Sequence, residues 1–325
     1  MGKGRSTVLM PAPGSASDPR IVVLGSLNID LVQAVKRFPR PGETMSGGDL
    51  RSYPGGKGAN QAVAAARLGQ AVAMIGLVGA DAFAAPLVAS LREAGVSTDL
   101  VQASARPTGA ATILVADDGQ NSIVVSPGAN AALSPAMVRS GLERFGSGCV
   151  LLCQLESPFD AVEQALRFAK SRGMTTILDP APAHQDCLQW LPFIDYLTPN
   201  ETEAALLAGL ASPIATDADA RRAAAQLRQQ GAKSVLLKLG RRGCFIATAE
   251  TAELVPAFEV KAVDTTAAGD CFNGAFSVAL VEGLPIIEAV RFANAAAALS
   301  VTRRGAQSSL PSRGEVDTLH RGTTR

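Results

Sequence analysis

The stretch Ile21-Val-Val-Leu-Gly-Ser-Leu-Asn-Ile-Asp30 opens on four consecutive apolar residues and then reaches Asn28 and Asp30. A short, unbroken apolar run of this kind reads as a strand buried on both faces. Similar runs recur at 72–78, 150–155, 175–178, 196–197 and 235–239. Helical patterns lie between several of them, at 59–68, 82–94, 135–145, 159–171 and 218–230, and two alanine-rich helices at 269–281 and 285–301 close the chain. Strands alternating with helices predict an α/β fold with a central, mostly parallel sheet flanked by helices. Two stretches break the alternation. Residues 30–53 and 108–126 look like antiparallel β material, the second with the turn signal Asp117-Asp-Gly119. Together they predict a small β-sheet lid on one side of the body, with ordinary surface hairpins as the alternative.

The same opening stretch bears on function, because ligands of open α/β sheets lie beyond the carboxyl ends of the strands. Asn28 and Asp30 share strand parity, so both can point the same way. An amide beside a carboxylate suits a vicinal diol. An Asx turn leaving the strand explains the pair equally well.

Composition narrows the field. The chain has 325 residues, 47% of them hydrophobic and 18% charged, enough for one large domain or two modest ones. Residues 1–20 are rich in Gly, Pro and Ser and read as a disordered tail, leaving 21–325 as the folded domain. Val8-Leu-Met10 is too short for a signal-peptide core, and no other run is long enough to cross a bilayer. With 30 basic and 29 acidic residues the net charge is +1, so no global field draws nucleic acid or an anionic membrane. Five cysteines at 149, 153, 187, 244 and 271 form no C-x-x-C pair and suit a reducing cytoplasm. Cys149 and Cys153 read as buried thiols. Only two histidines occur, His184 and His320, the second in the polar C-terminal tail. That leaves little room for Ser-His-Asp chemistry or a His-rich metal site, so an acid–base step falls to a carboxylate.

One carboxylate stands out. In Val263-Asp-Thr-Thr-Ala-Ala-Gly-Asp-Cys-Phe-Asn-Gly-Ala-Phe276, Asp270 follows the small-residue turn Ala267-Ala268-Gly269 and opens an apolar helix pattern. Helix N-termini carry unpaired N–H groups and partial positive charge, and small residues let a phosphate approach them. A carboxylate there can take a proton from an attacking hydroxyl, which points to phosphoryl transfer from a nucleotide to an alcohol. An N-cap or first-turn charge on an ordinary helix is the competing explanation.

Gly55-Gly-Lys-Gly-Ala-Asn60 is neither a P-loop nor G-x-G-x-x-G, since Gly58 follows Lys57 and Gln61 stands at the third glycine position. Its glycines permit close backbone approach, and Asn60 can donate and accept toward sugar hydroxyls. A plain glycine-rich helix entry remains open. Gln154-Leu-Glu156 ends a further strand and brings Glu156 to the same face. In Thr198-Pro-Asn-Glu-Thr-Glu203, Asn200 and Glu203 stand at i and i+3, where hard oxygen donors suit Mg²⁺ through water or a simple capping box. Leu239-Gly-Arg-Arg-Gly243 can let a nucleotide lie against the backbone, or form a hairpin turn.

The motifs G-S-x-N-x-D, G-G-K-G-A-N-Q-A, Q-L-E, T-P-N-E-T-E, L-G-x-R-G, V-D-T-x-A-A-G-D-x-F-N-G and V-T-R-x-G-A-Q follow one another in the order seen in the ribokinase (PfkB carbohydrate kinase) family. From about residue 21 to 311 the chain resembles members of that family. The resemblance implies a ribokinase-like fold with a β-lid that commonly forms a homodimer interface, and ATP-dependent phosphorylation of D-ribose at its 5-hydroxyl. It implies Asp270 as catalytic base and the amides of Ala267, Ala268 and Gly269 as anion hole. The sugar would be held by Asn28, Asp30, Gly56, Lys57, Gly58, Asn60 and Glu156. ATP would meet Asn200, Lys238, Gly240, Gly243, Gly269 and, near the adenine, Asn294. Asn200 and Glu203 would organise Mg²⁺ through water. Asp264, Thr266, Ser300, Arg303, Gly305 and Ser309 match the family's K⁺ site, several through backbone carbonyls. Lys238 departs from a frequent Thr, and Asn294 from a His found in some members. Another sugar or nucleoside (2-deoxyribose, fructose, adenosine) is the nearest alternative acceptor. A non-catalytic sugar-binding regulator is a more distant one, and a nicotinamide dehydrogenase is disfavoured because G-x-G-x-x-G is missing after the first strand.

Overall fold

The computed structural model describes residues 18–322. Most of the expected N-terminal tail, residues 1–17, lies outside the described residues. In chain order the elements are β1 (Ile21–Leu24), β2 (Asn28–Val35), β3 (Arg51–Gly55), α1 (Lys57–Arg67), β4 (Val72–Gly79), α2 (Ala84–Glu93), β5 (Val96–Ser97), β6 (Val101–Ser104), β7 (Gly109–Ala116) and β8 (Asn121–Ser126). They continue as α3 (Pro135–Leu142), β9 (Val150–Gln154), α4 (Phe159–Ser171), β10 (Thr175–Asp179), β11 (Tyr196–Leu197), α5 (Glu201–Leu207), α6 (Asp217–Gln229) and β12 (Val235–Lys238). The last are β13 (Cys244–Ala247), β14 (Ala252–Val255), α7 (Ala268–Val281), α8 (Ile286–Ser300) and α9 (Arg313–Gly322).

The main sheet has ten strands in the order β14-β13-β12-β11-β10-β9-β1-β4-β5, with β6 also paired to β4. It is parallel from β12 onward, and β13 and β14 add an antiparallel edge. Every residue of β1, β4 and β9 is buried, as parallel strands covered on both faces must be. Alternation along β1 divides the core in two. Val22 and Leu24 join a cluster with Val138 of α3, Leu166 of α4 and Leu227 of α6. Ile21 and Val23 join another with Val63 of α1, Phe276 of α7 and Val290 of α8. The chain is therefore a three-layer α/β body.

A separate four-stranded sheet runs β3-β2-β7-β8. Its two hairpins, β2–β3 and β7–β8, are antiparallel as expected, and Gly119 turns the second with φ 84°. The hairpins join through a parallel seam between β2 and β7, from Asn28↔Gly109 to Val35↔Ala116. The expectation of antiparallel material thus holds within each excursion and not between them. Hairpin pairing is set by local turn chemistry, whereas this seam joins segments distant in sequence.

Other details bear on the sequence expectations. The polar C-terminal segment containing His320 is helical: α9 buries Val316 and exposes Gly314, Thr318, Arg321 and Gly322. The residues 239–243 form a 3-10 turn, Gly240–Arg242, inside the β12–β13 hairpin. Cys153 is buried, but Cys149, one residue before β9, is only half-buried. All five cysteines are free. Among the described residues no helix is long and apolar enough to cross a membrane.

Candidate active site

Because β1, β9, β10, β11 and β12 run parallel, their carboxyl ends open on one edge of the body. That geometry gathers Asn28, Glu156, Asp179, Glu203 and Lys238 with the N-termini of α1 and α7. Helices α1 and α7 pack closely there, since Gly274 has no Cβ; a Cβ would stand 2.6 Å from Ala64 Cβ and 2.7 Å from Gln61 O.

Asp270, in the first turn of α7, is only 6% exposed. Its Oδ2 accepts from Asn60 Nδ2 at 2.9 Å and its Oδ1 from Gln61 Nε2 at 3.0 Å. Gln61 Nε2 also donates to Asp179 Oδ2 at 2.9 Å, while Gln61 Oε1 accepts from Gln154 Nε2 at 2.6 Å. Asp179 Oδ1 in turn pairs with Lys238 Nζ at 3.0 Å. Burial pushes the Asp270 carboxyl up to about 6 and Asp179 adds to the rise, against the pull of Lys57 and the two amide donors. A helix dipole by itself would make Asp270 a weaker base; burial acts in the opposite direction. At neutral pH the group is ionised and a stronger base than an exposed carboxylate.

Of the residues expected to hold a sugar, Asn28, Lys57 and Glu156 line a cavity of ≈ 780 Å³ together with Glu203 and others, whereas Asp30, Gly56, Gly58 and Asn60 are not in its lining. Glu156 Oε2 accepts from Ser26 Oγ at 2.5 Å and from Lys57 N at 3.3 Å. Gly56 caps α1 with φ 90°, a conformation that favours glycine. Gly58 lies on Gly25, where a Cβ would come within 2.6 Å of the Gly25 backbone. Asp30 stands against Gly55. Burial raises its carboxyl to about 7, with Glu156 and Asp270 contributing. Burial alone would lower the Lys57 ammonium, but the carboxylates of Asp270, Asp179, Glu156 and Glu203 outweigh it and hold the proton on.

At the start of α7, Ala267 is left-handed with φ 59°, the sole non-glycine with positive φ among the described residues. A left-handed residue leading into a helix makes successive N–H groups converge into an anion-binding nest. The N–H of Ala268 donates to Thr265 O at 3.2 Å. Among the described residues those of Ala267, Gly269 and Asp270 have no protein acceptor. The expected trio thus has one member already engaged, and the Asp270 amide adds an open one.

A second cavity of ≈ 610 Å³ adjoins Gly269 and is lined by Lys238, Gly240, Gly243, Gly269, Phe272 and Asn294, with Phe258 and Ala298 as apolar wall. Asn294 Nδ2 donates to Val255 O at 3.1 Å and Pro256 O at 3.2 Å. Asn200 does not line either cavity. It caps α5 in a full capping box, with Glu203 Oε1 accepting from Asn200 Nδ2 at 2.9 Å and Glu203 N donating to Asn200 Oδ1 at 2.9 Å. The structure therefore realises the capping alternative for this pair. Burial, with Asp179 nearby, raises the Glu203 carboxyl. Its oxygens keep free lone pairs, so Glu203 fits a water-bridged Mg²⁺, whereas the Asn200 amide is already engaged. Among the described residues no three His, Cys, Asp or Glu side chains converge as a protein-only metal cage.

Asp264 ties the loop before α7 to the loop after α8. Its Oδ1 accepts from Thr266 N and Oγ1 at 2.9 and 2.7 Å, and its Oδ2 from Gly305 N at 2.9 Å. Ser300 and Ser309 turn their hydroxyls back on Ala297 O and Ala306 O, and the Arg303 guanidinium pairs with Glu315.

Sequence reasoning did not single out Gln61, Asp179, Ser26 or Asn130. Asp179 was the most accessible of these, being the polar residue that ends the apolar run of β10, where ligands of parallel sheets collect.

Comparison with known proteins agrees with this fold. Residues 18–313 match the model of the pfkB family carbohydrate kinases. A ribokinase of Haemophilus influenzae is 44% identical over 297 residues, 91% of this chain and 96% of that protein. The crystal structure of a Thermotoga maritima ribokinase superposes with a TM-score of 0.83 at 40% identity, covering 92% of this chain and 98% of that one. An Arabidopsis thaliana ribokinase complexed with ribose and ATP gives 0.84 at 35% identity, covering 93% and 99%. With a family match over most of its length and relatives of this similarity, the chain belongs to the pfkB family of carbohydrate kinases.

Proposed function

We propose that this protein transfers the γ-phosphoryl group of ATP to the 5-hydroxyl of D-ribose, giving ribose 5-phosphate and ADP. The observation that carries the proposal is the position of Asp270. It is a buried carboxylate at a helix N-terminus, held by the Asn60 and Gln61 amides of α1, whose first residue Lys57 lines the cavity bearing Asn28 and Glu156, and it directly follows Gly269, which lines the cavity bearing Gly240, Gly243 and Asn294.

In this mechanism Asn28, Asp30, Asn60 and Glu156 hold the sugar, with Gly56, Lys57 and Gly58 forming the floor beside it. The 5-hydroxyl attacks the γ-phosphorus in line, and Asp270 takes its proton. The open amides of Ala267, Gly269 and Asp270 receive the charge that grows on the phosphoryl oxygens. Mg²⁺ arriving with ATP would be held through water at Glu203, and when bound supplies further neutralisation of phosphate charge. Lys238 adds a cation at the edge of the nucleotide cavity, held by Asp179. The four-stranded sheet acts as a lid that excludes water from the reacting groups.

Three finer assignments belong to the same reading. The Asp264–Gly305 contact supports a K⁺ site of backbone carbonyls that shapes the anion-hole loop from outside it. The edge strand β8 exposes Ile123, Val124 and Val125 by 51%, 67% and 48%, an apolar strand edge that suits a homodimer through the lid. Val124→Lys should then give a monomer by light scattering. The free thiols fit a reducing cytoplasm.

The test is ADP release with ATP and Mg²⁺ across ribose, 2-deoxyribose, fructose and adenosine, each in K⁺ and Na⁺. Ribose should be the preferred acceptor, and faster in K⁺. A positioned base contributes about 10²–10⁴-fold, so Asp270→Asn should lose at least about 10²-fold in turnover while keeping its thermal transition. Near-normal turnover in that variant would sink the base assignment.

A further inference from the structure

We propose that Asn130 fixes the hydrogen-bond polarity of the sugar site, turning Asn28 so that it meets the substrate as a donor. Asn130 lies in the 3-10 turn Gly128–Ala132 just after β8 and is 3% exposed. Its Oδ1 accepts from Leu27 N at 2.9 Å, and its Nδ2 donates to Leu27 O at 3.2 Å and to Asn28 Oδ1 at 2.8 Å. A backbone N–H can only donate and a backbone carbonyl only accept. Leu27 therefore pins the Asn130 amide in one orientation. The second proton of Asn130 Nδ2 then faces Asn28, and Asn28 can answer only with its oxygen.

The consequence falls on the cavity. Asn28 forms part of its wall, and among the described residues its Nδ2 has no protein acceptor. The substrate atom beside it must accept a hydrogen bond. Asp30 and Glu156, when ionised, only accept. A sugar hydroxyl satisfies both demands by accepting from Asn28 and donating to a carboxylate; a methylene satisfies neither.

Gly109 supplies an independent sign that the pairing is built into the fold. It stands opposite Asn28 in the parallel seam between β2 and β7. A Cβ there would lie 2.3 Å from Asn130 Nδ2 and 2.3 Å from Asn28 Oδ1. The glycine leaves the gap through which the two amides meet. Asn130 acts through Asn28, so it is a positioning residue.

This inference rests on the sugar-kinase reading, which wild-type turnover checks separately. The experiment compares kcat and KM of wild type, Asn130→Asp and Gly109→Ala on ribose and on its 2-deoxy and 3-deoxy analogues. In Asn130→Asp the new carboxylate would still accept from Leu27 N but would offer Asn28 an oxygen, so Asn28 reverses. KM for ribose should rise about tenfold or more, the scale of a buried hydrogen-bonding group left unpaired, with kcat changed far less. One deoxy analogue, the one lacking the hydroxyl that meets Asn28, should lose almost nothing to the substitution. Gly109→Ala should give the same pattern by parting the amides, and it carries the test if Asn130→Asp fails to fold. An unchanged KM, or one common factor of loss on ribose and both analogues, would overturn the proposal. A wild type that phosphorylates no sugar would overturn the functional reading and this inference with it.

Discussion

Gln61 Nε2 donates to Asp270 Oδ1 at 3.0 Å and, with its other proton, to Asp179 Oδ2 at 2.9 Å. One amide thus holds two carboxylates that would otherwise repel. Its oxygen is taken by Gln154 Nε2, so it cannot turn around. Gln61→Glu would put a third carboxylate between them. A neighbouring like charge raises a carboxyl, so a smaller share of Asp270 would be ionised at neutral pH. We expect turnover at pH 7 to fall at least about tenfold, with partial recovery toward pH 9. A pH–rate profile checks this; a loss that is the same at every pH would assign Gln61 a packing role only.

The wild-type pH–rate profile should show an acid limb. Asp270 rises to about 6 and Asp30 to about 7, each chiefly by burial. In the proposed mechanism both act as acceptors in their ionised forms, and a raised value means that protonation intrudes earlier as pH falls. The value of kcat/KM should therefore decline as pH drops through 7 and 6. Since the two carboxyls interact, the steps belong to the pair. A profile flat down to pH 5 would show that neither group titrates in the working enzyme.

Lys238 and Asp179 form a buried pair, with side chains 13% and 3% exposed. Removing one partner of such a pair costs about 3–5 kcal/mol because the other charge is stranded. Lys238→Thr should approach the lower figure, since Gln61 still donates to Asp179, and should also raise KM for ATP. Adding Asp179→Asn should restore much of the stability in urea denaturation. A single variant as stable as wild type would mean that Gln61 alone satisfies Asp179.

Gly274→Ala tests the helix contact beneath the site. Alanine gains about 1 kcal/mol of intrinsic helix preference, but its Cβ would stand 2.6 Å from Ala64 Cβ. Overpacking costs about 1–3 kcal/mol, so the variant should melt lower and lose turnover as α1 carries Asn60 and Gln61 away from Asp270. Gly314 in α9 has nothing within 4 Å of such a Cβ. Gly314→Ala should therefore be neutral or slightly stabilising, and a like effect at both positions would count against the close-packing argument.

The pattern of apolar runs and helical periods was enough to predict the layered sheet, because burial on both faces leaves parallel strands few polar positions. It also predicted the β7–β8 hairpin of the second sheet, since Asp117-Asp-Gly119 carries its own turn chemistry. It could not predict the seam between β2 and β7, whose partners lie far apart and carry no local signal. Helix α9 was missed for a related reason. One buried residue, Val316, gives too narrow an apolar stripe to stand out from a polar tail.

The site divides the same way. Sequence by itself determined which chemical groups exist: a carboxylate at a helix start, glycines at two turns, and amides and acids at strand ends. These are local properties of residue type and spacing. Only the tertiary structure decided how they are wired. Gln61 reaches Asp179 and Asp270 because α1, β10 and α7 meet, and Asn130 reaches Asn28 because Gly109 leaves room between them. The burial that lifts Asp270 and Asp30 likewise exists only once distant segments exclude water, so the strength of the base is a property of the folded chain.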